Sequence, residues 1–407
     1  MRRLSLHLLL PALLLVGCIA NPIQTTRVES GQTVRHTQQT ITEDQVLDLR
    51  IERFDPGELP EDKDEARGLS PDIREAEARY IPIHLARTLE KSGYWGAVRV
   101  APRRAEGFEV LIRGRILHSD GKRLELAVAA LDARGETWFE REYEQRIKAR
   151  DYRRSRKGEA FQSLYNQIAN DLSRRFDELT AQERRRIRQI AELRFARAMA
   201  PDAFAAYLSE KDGAYRLQRL PAETDPHLAR VRTLRDRDRL LLDTFNGHFE
   251  NYYRDMDAPY EDWRRARAVE AEQLREIEDA AMSQKILGGL AVIGGIALAA
   301  AGAGEGPSTQ AVTSGVGQVL VLGGVLTAQE GFQKAAESGI HKAALEELGD
   351  AFDAEAEPLI VQIEGETHRL TGSAEAQYAQ WRDLLQRIYA QETALPTQGP
   401  EPGQGPR

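Results

Sequence analysis

Hydrophobic and polar residues alternate in short runs between residues 46 and 180, whereas most of the chain after residue 181 has helical spacing. Alternation predicts strands with one buried face, and apolar residues three or four positions apart predict amphipathic helices. Turn signals such as Asp120-Gly121 separate the runs. The predicted order is strand, helix, four strands, helix: 46–54, 73–92, 97–101, 108–118, 123–131, 137–147 and 161–179.

This order predicts an α+β fold. One sheet covered on one face by two helices would bury both kinds of pattern, so residues 46–180 are expected to form a two-layer domain. A mainly α-helical region with a glycine-rich helical hairpin is expected to follow it. The element order resembles the small periplasmic domains of the amino-terminal part of TolB, the penicillin-binding-protein activator lipoproteins and the curli-secretion lipoprotein. That resemblance implies binding of envelope proteins or assembly of a ring.

Residues 181–285 are expected to be almost wholly helical, with prolines dividing them. Two long helices are predicted, over 227–256 and 258–284. Aromatic residues cluster where these two helices would meet, and they are either packed at the helix junction, which we favour, or part of a ligand site. The cluster consists of Tyr252, Tyr253, Tyr260 and Trp263.

The segment 286–331 contains two charge-free stretches, 286–304 and 306–329, in which glycine recurs every seven residues. A seven-residue period returns to nearly the same helix face, and a face of small residues lets two helices approach closely. We predict a helical hairpin with a glycine-lined seam, which is buried against other helices or subunits or contacts a bilayer. It resembles the glycine-zipper hairpins of small outer-membrane lipoproteins. The seam residues are Gly288, Gly295, Gly302, Gly317, Gly324 and Gly331.

The remaining segments are shorter. Residues 332–395 are expected to form a helix, two short strands and a final helix over 373–391, and the Pro- and Gly-rich tail 396–407 is expected to be disordered. Residues 18–45 are rich in Thr, Gln and Ser and poor in large apolar side chains. Such a segment has little apolar surface to bury, so it is predicted to be a flexible tether.

The first residues have the pattern of an export signal. Arg2 and Arg3 precede an almost unbroken apolar run over 4–16, which ends at Leu15-Val16-Gly17-Cys18. This motif resembles the lipobox of bacterial lipoproteins. The resemblance implies that residues 1–17 are removed as a signal peptide and that Cys18 becomes the acylated first residue. Ile19 follows in place of aspartate, which by resemblance favours the outer membrane, with the chain facing the periplasm.

Composition narrows the chemistry. Cys18 is the only cysteine, which excludes an internal disulfide and a thiolate metal cluster. The formal charge of −8 becomes −10 when the two positive charges of Arg2 and Arg3 leave with the signal, and an acidic chain is a poor partner for nucleic acid. Phosphate-binding, nucleophile-elbow and zinc-protease motifs are missing from the sequence, and its histidines are scattered. We therefore predict no catalytic residue, metal, cofactor or small-molecule substrate.

Three functions remain open at this stage. The first, which we favour, is a non-catalytic lipoprotein whose α+β head binds envelope proteins while the glycine hairpin self-associates into a homo-oligomer. The second is a membrane-inserting component of a secretion or membrane-stabilising ring. The third is an envelope hydrolase or glycan-binding enzyme of unrecognised type.

Overall fold

The computed structural model describes most of the chain between residues 24 and 393. The described residues are 24–38, 40–59, 61, 69–102, 107–148, 151–152, 158–300, 358–363 and 366–393, and over 270–300 only the helical backbone is described.

A six-stranded sheet forms the first part of the structure, in the order β1-β6-β5-β4-β2-β3. Strands β4, β5 and β6 form an antiparallel meander, whereas β2 runs parallel to both β3 and β4, and β1 runs parallel to β6. The strands are β1 Gln24–Val28, β2 Leu49–Glu52, β3 Val98–Ala101, β4 Val110–Ser119, β5 Arg123–Asp132 and β6 Thr137–Arg146.

Two helices cover one face of this sheet, as the sequence predicts. Helix α1 (Pro71–Ser92) connects β2 to β3, and α2 (Gln162–Glu178) follows β6. Strand β5 has a buried residue at every second position, and these side chains supply the sheet half of the core: Leu124, Leu126, Val128 and Ala130. The α+β class and the order strand, helix, four strands, helix are confirmed.

The prediction of a flexible tether over 18–45 is wrong for its described part. Residues 24–28 form the edge strand β1, and the backbone that follows is held by amide side chains of α2. The Oδ1 atom of Asn170 accepts a hydrogen bond from the Arg35 amide at 2.7 Å, and its Nδ2 atom donates to the Thr33 carbonyl at 2.9 Å. Backbone pairing and side-chain amides order this segment, together with a few apolar contacts of Val28, Val34 and Ile41 with the core.

The region after residue 181 contains a β-hairpin that the sequence reading missed. Helix α3 (Ala181–Met199) and the short helix α4 (Pro201–Phe204) are followed by a single 3₁₀ turn and then by strands β7 (Leu208–Lys211) and β8 (Ala214–Leu217). Asp212 and Gly213 both have positive φ, 53° and 78°, as a two-residue hairpin turn of this twist requires. Charged side chains on both strands hide the alternation of apolar and polar residues that would predict a strand from the sequence.

One continuous helix, α5 (Pro226–Ala300), replaces the two long helices predicted on either side of residue 257. Pro259 lies inside it, where the missing N–H and the ring cost a helix about 3 kcal/mol. The residues on either side of the proline are deeply buried: Met256, Tyr260 and Trp263. Their packing offsets the local cost, so the helix continues through the proline.

Helix α5 shares the core of the α+β domain. Its buried residues between 228 and 268 recur at intervals of three and four, and they belong to the same hydrophobic cluster as the sheet and α1. The predicted boundary at residues 180 and 181 therefore divides the sequence but not the core. Because the sheet lies on one side of α1 and α5 on another, α1 is buried around most of its circumference.

The carboxy-terminal elements match their prediction. Strands β9 (Leu359–Ile363) and β10 (Glu366–Leu370) form an antiparallel pair, and helix α6 (Ala374–Thr393) packs on α3 and α5. The helix expected within 332–355 and the tail 396–407 lie outside the described residues. In the part of the chain that the structure describes, we find no helix with the length and hydropathy of a membrane span.

Candidate functional site

Polar side chains fill the contact between α1, α2 and the middle of α5. We call this set the polar seam. It includes two of the four aromatic residues singled out in the sequence, Tyr253 and Tyr260, together with charged residues that were not. Its members are Glu77, Tyr80 and His84 of α1; Glu159 just before α2; Gln162 and Tyr165 of α2; and Tyr253, Asp257, Tyr260 and Arg264 of α5.

The strongest contact in the seam is an ion pair between Arg264 and Glu159. The two guanidinium nitrogens donate to the two carboxylate oxygens at 2.6 and 2.8 Å, and both side chains are at most 2% exposed. Burial alone would raise the pKa of Glu159, but Arg264 outweighs it and brings that pKa to about 2. The guanidinium also lies 4.2 Å from the ring centre of Tyr260. Arg264 therefore stays charged and tied to the start of α2.

Glu77 forms a second centre, in which burial prevails over pairing. Its Oε1 atom accepts hydrogen bonds from Tyr260, at 2.6 Å, and from Ser119. Its only ion-pair partner within the described residues is Arg74, at 3.8 Å. Burial raises the pKa of Glu77 despite Arg74 and these two hydrogen bonds. The Glu77 Oε2 atom and the guanidinium of Arg74 are buried without hydrogen-bond partners in the described structure, so this part of the seam is imperfectly paired.

The hydrogen bonds around His84 fit a neutral ring. The amide nitrogen of Gln162 donates to Thr88 at 3.1 Å and to Asn166 at 2.9 Å, so the Gln162 oxygen faces His84. His84 Nε2 then donates to that oxygen at 2.9 Å, and Nδ1 is left to accept from the Tyr253 hydroxyl at 2.8 Å. Burial lowers the pKa of His84, in agreement with this arrangement.

The amino-terminal half of α5 is held by a separate group of contacts at the edge of the sheet. Asn246 accepts a hydrogen bond from the backbone amide of Val100 in edge strand β3 at 2.9 Å, and Asp243 pairs with Arg99 at 2.5 Å. Nearby, Arg235 lies 3.5 Å from the buried Glu109. The helix therefore covers the free edge of β3 and is joined to the domain at two separate places.

This arrangement is suited to holding helices together. Apart from Asp257, which is exposed, the acids, bases and hydroxyls of the seam are buried, so a substrate would meet them only after α5 moved away. Each seam residue on α5 instead has its partner on α1 or, for Arg264, at Glu159 just before α2, which fixes both the position and the rotation of the helix. The seam is therefore a specific docking contact for α5. The predicted packing of the aromatic cluster is confirmed, but the cluster lies within one continuous helix and not at the predicted junction of two helices.

The predicted functional residues are placed only in part. Gly288 and Gly295 lie in the continuous helix α5. Cys18 and the other four seam glycines, Gly302, Gly317, Gly324 and Gly331, lie outside the described residues. Sequence reasoning missed Glu77, Glu159 and Arg264. The sequence offered one signal. Arg264 lies at the three-and-four spacing of the residues on the buried face of α5, and a buried charge needs a partner.

The surface of the described structure has an open groove of about 590 Å³ between β10 and α6, lined by His368, Arg369, Gln380, Asp383 and Arg387. Among the described residues, no group of histidine, cysteine, aspartate or glutamate side chains has the arrangement of a metal site. The groove lies outside the polar seam and contributes no side chain to it.

No protein-family model, curated protein or solved structure matches this chain. The lipoprotein, periplasmic-domain and glycine-zipper resemblances therefore stay predictions.

We predict that Glu159→Gln lowers the free energy of unfolding by about 3–5 kcal/mol, because it leaves the buried Arg264 without its counter-charge. Denaturant unfolding followed by circular dichroism measures the loss. The matched control is Glu261→Gln on the surface of α5, where the pair with Arg265 is partly exposed and the change should stay within about 0.5 kcal/mol. Adding Arg264→Met to Glu159→Gln should recover part of the loss. A loss below about 1 kcal/mol for Glu159→Gln contradicts the importance of the pair.

We also predict that His84 makes the protein less stable on acidification. Its folded pKa lies below the unfolded value of about 6.5. Its contribution is therefore complete above that value and is lost as pH falls through the folded pKa, at up to about 1.4 kcal/mol per pH unit. Unfolding free energies between pH 7.5 and 5 measure this slope. His84→Gln should be less stable at pH 7.5 but should have a flatter slope, and an unchanged slope would show that His84 does not titrate with unfolding.

Proposed function

We propose that this chain is an outer-membrane lipoprotein, held by an acylated Cys18 and facing the periplasm, that acts as an envelope interaction and assembly protein. Its α+β domain binds envelope proteins, and its glycine-rich segment joins copies of the chain. The lipid anchor and the destination rest on the motif Leu15-Val16-Gly17-Cys18 and on Ile19.

The observation that carries the proposal is the continuity of α5. The helix extends over 75 residues, from Pro226 beside the sheet to Ala300 inside the charge-free stretch. At about 1.5 Å per residue a straight helix of this length is roughly 110 Å long. One end is fixed to the α+β domain by the polar seam, and the other carries Gly288 and Gly295. Such a helix connects a binding domain rigidly to a segment suited to association.

The spacing of the glycines supports association of helices. Gly288 and Gly295 are seven residues apart, which on one helix places them on nearly the same face. Without side chains there, a second helix can approach closely and gain dispersion contacts over a flat surface. A helix that needed only solubility would place charged residues at these positions.

The second candidate is a membrane-inserting component of a ring. It is favoured by the stretch 286–304, which has no charged residue. As a helix it would be about 28 Å long, close to the roughly 30 Å thickness of a bilayer core. Its many Gly and Ala residues give weak insertion energy, so we place self-association first.

We predict that Gly288→Leu with Gly295→Leu disrupts the oligomer, because two branched side chains hold the paired helices apart. Chemical cross-linking of the full-length protein in isolated membranes should show at least about a tenfold drop in oligomer, equal to about 1.4 kcal/mol of association energy. The matched control is Gly289→Leu with Gly294→Leu, which adds the same atoms to the same helix away from the seven-residue row and should retain the oligomer.

The anchor is tested on the same material. Metabolic labelling with a fatty-acid probe should mark the native protein and not Cys18→Ser, which should leave the membrane fraction. Label on the Cys18→Ser protein contradicts the anchor. Equal amounts of oligomer in the two glycine double variants contradict the glycine-lined seam. If Cys18→Ser is unlabelled but stays in the membrane after carbonate extraction, and the further change Ile293→Arg releases it by placing a charge in the stretch 286–304, the ring component replaces our first choice.

A further inference from the structure

One face of the central sheet is packed on α1 and α2, and within the described structure the middle of the opposite face is not fully covered. There the outward side chains of β4, β5 and β6 form a surface that we call the open face. It consists of Arg113 and Arg115 on β4, Ala127 and Ala129 on β5, and Glu140 and Glu142 on β6.

The strand register arranges these residues in two rows across the sheet. Arg113 is opposite Ala129, which is opposite Glu140, and the neighbouring row is Arg115, Ala127 and Glu142. Each row therefore passes from a positive side chain through a methyl group to a negative one. The two alanines leave a shallow strip along β5 with a basic ridge on one side and an acidic ridge on the other.

The charges of the two ridges are accessible. The side chains of Arg113 and Arg115 are 57% and 61% exposed, although they contact Glu52 at 3.3 Å and Asp55 at 2.9 Å on the far side from β5. Glu140 is exposed, and neither it nor Glu142 has an ion-pair partner among the described residues. Glu142 accepts one hydrogen bond, from Thr25 at 2.7 Å. Within the described residues, the acidic ridge therefore has no cationic partner of its own.

We propose that a second copy of this chain docks on the open face, sheet against sheet, around a two-fold axis that runs parallel to β5 above the two alanines. Rotation about this axis exchanges the basic and acidic sides of the strip and leaves each row at the same position along β5. Arg113 of each copy then faces Glu140 of the other, and Arg115 faces Glu142. The alanines let the two sheets approach to about the 10 Å spacing of packed sheets.

The charge pattern selects this axis over the alternative. A two-fold axis perpendicular to the strands would place arginine above arginine and glutamate above glutamate, which costs energy at every row. An interface that reads the same on both copies must be complementary to itself, and the open face meets that requirement in one orientation only. Six residues make a small contact compared with the roughly 20–30 residues a side of a standard interface, so rapid exchange is expected.

This contact lies in the α+β domain and does not depend on the glycine-rich segment or on the proposed function. A cross-link at residue 129 reports it directly, since association through residues 286–331 does not bring the two β5 strands together.

The experiment uses the full-length chain with Cys18→Ser, which removes the native thiol, and with Ala129→Cys. A short bismaleimide should join two copies efficiently, because the two-fold axis places residue 129 opposite itself. The collision control is Ala206→Cys on the exposed turn before β7. Cross-linking at residue 129 that is no faster than at residue 206 overturns the proposal.

Charge reversal tests the orientation. Arg113→Glu with Arg115→Glu makes the face all acidic, and Glu140→Arg with Glu142→Arg makes it all basic. Each protein alone should cross-link at residue 129 about tenfold less, whereas a mixture of the two should cross-link at least as well as the starting protein. Arg186→Glu with Arg216→Glu, the same charge change on other surfaces, should have no effect. Because the mixture needs both variants folded, failure of the mixture to recover, with unchanged circular dichroism, contradicts the docking.

Discussion

The structure depends on a buried ion pair that crosses from one helix to the start of another. Arg264 reaches from α5 to Glu159, and removal of both charges from water is acceptable only because the two groups meet in a paired geometry. An apolar stripe alone would let a long helix slide or rotate along its groove. The buried Arg264 finds its counter-charge at one position only, so the ion pair prevents sliding and rotation. The pair thereby fixes the register of α5 on the α+β domain and the point from which the rest of the helix extends.

The rest of the polar seam also holds α5 through specific polar contacts, but not all of its buried groups are paired. His84, Tyr253 and Gln162 form a fully paired set, whereas the buried Arg74 and the outer oxygen of Glu77 are left without hydrogen bonds within the described structure. Satisfied buried groups favour one arrangement strongly, and unsatisfied ones cost energy that another arrangement could recover. The contact between α1 and α5 is therefore specific without being uniformly strong, and Glu77 is its weakest point.

The fold class and the element order were predictable because they follow from local periodicity: buried and partly exposed residues alternate in β5 without exception, and α1 ends at Gly93. What could not be predicted depends on partners that are distant in the chain. The strand at 24–28 has no apolar pattern of its own and exists because β6 offers it a free edge. Pro259 stays inside a helix because buried neighbours outweigh its local effect. Glu159 and Arg264 are 105 residues apart, so nothing in either local sequence identifies the other. Hydrophobic spacing predicts which face is buried, but a buried pair is visible only when the fold brings its members together.

The polar seam makes α5 and the α+β domain one cooperative unit. Native-state hydrogen exchange of the full-length protein can compare the amides of α5 around residues 245–264 with those of β5 in the middle of the sheet. We expect the same opening free energy for both, and an equal fall in both when Glu159 is replaced by Gln. Exchange in α5 that is faster than in β5 by several orders of magnitude would contradict it, because the helix would then be detaching while the sheet remains folded.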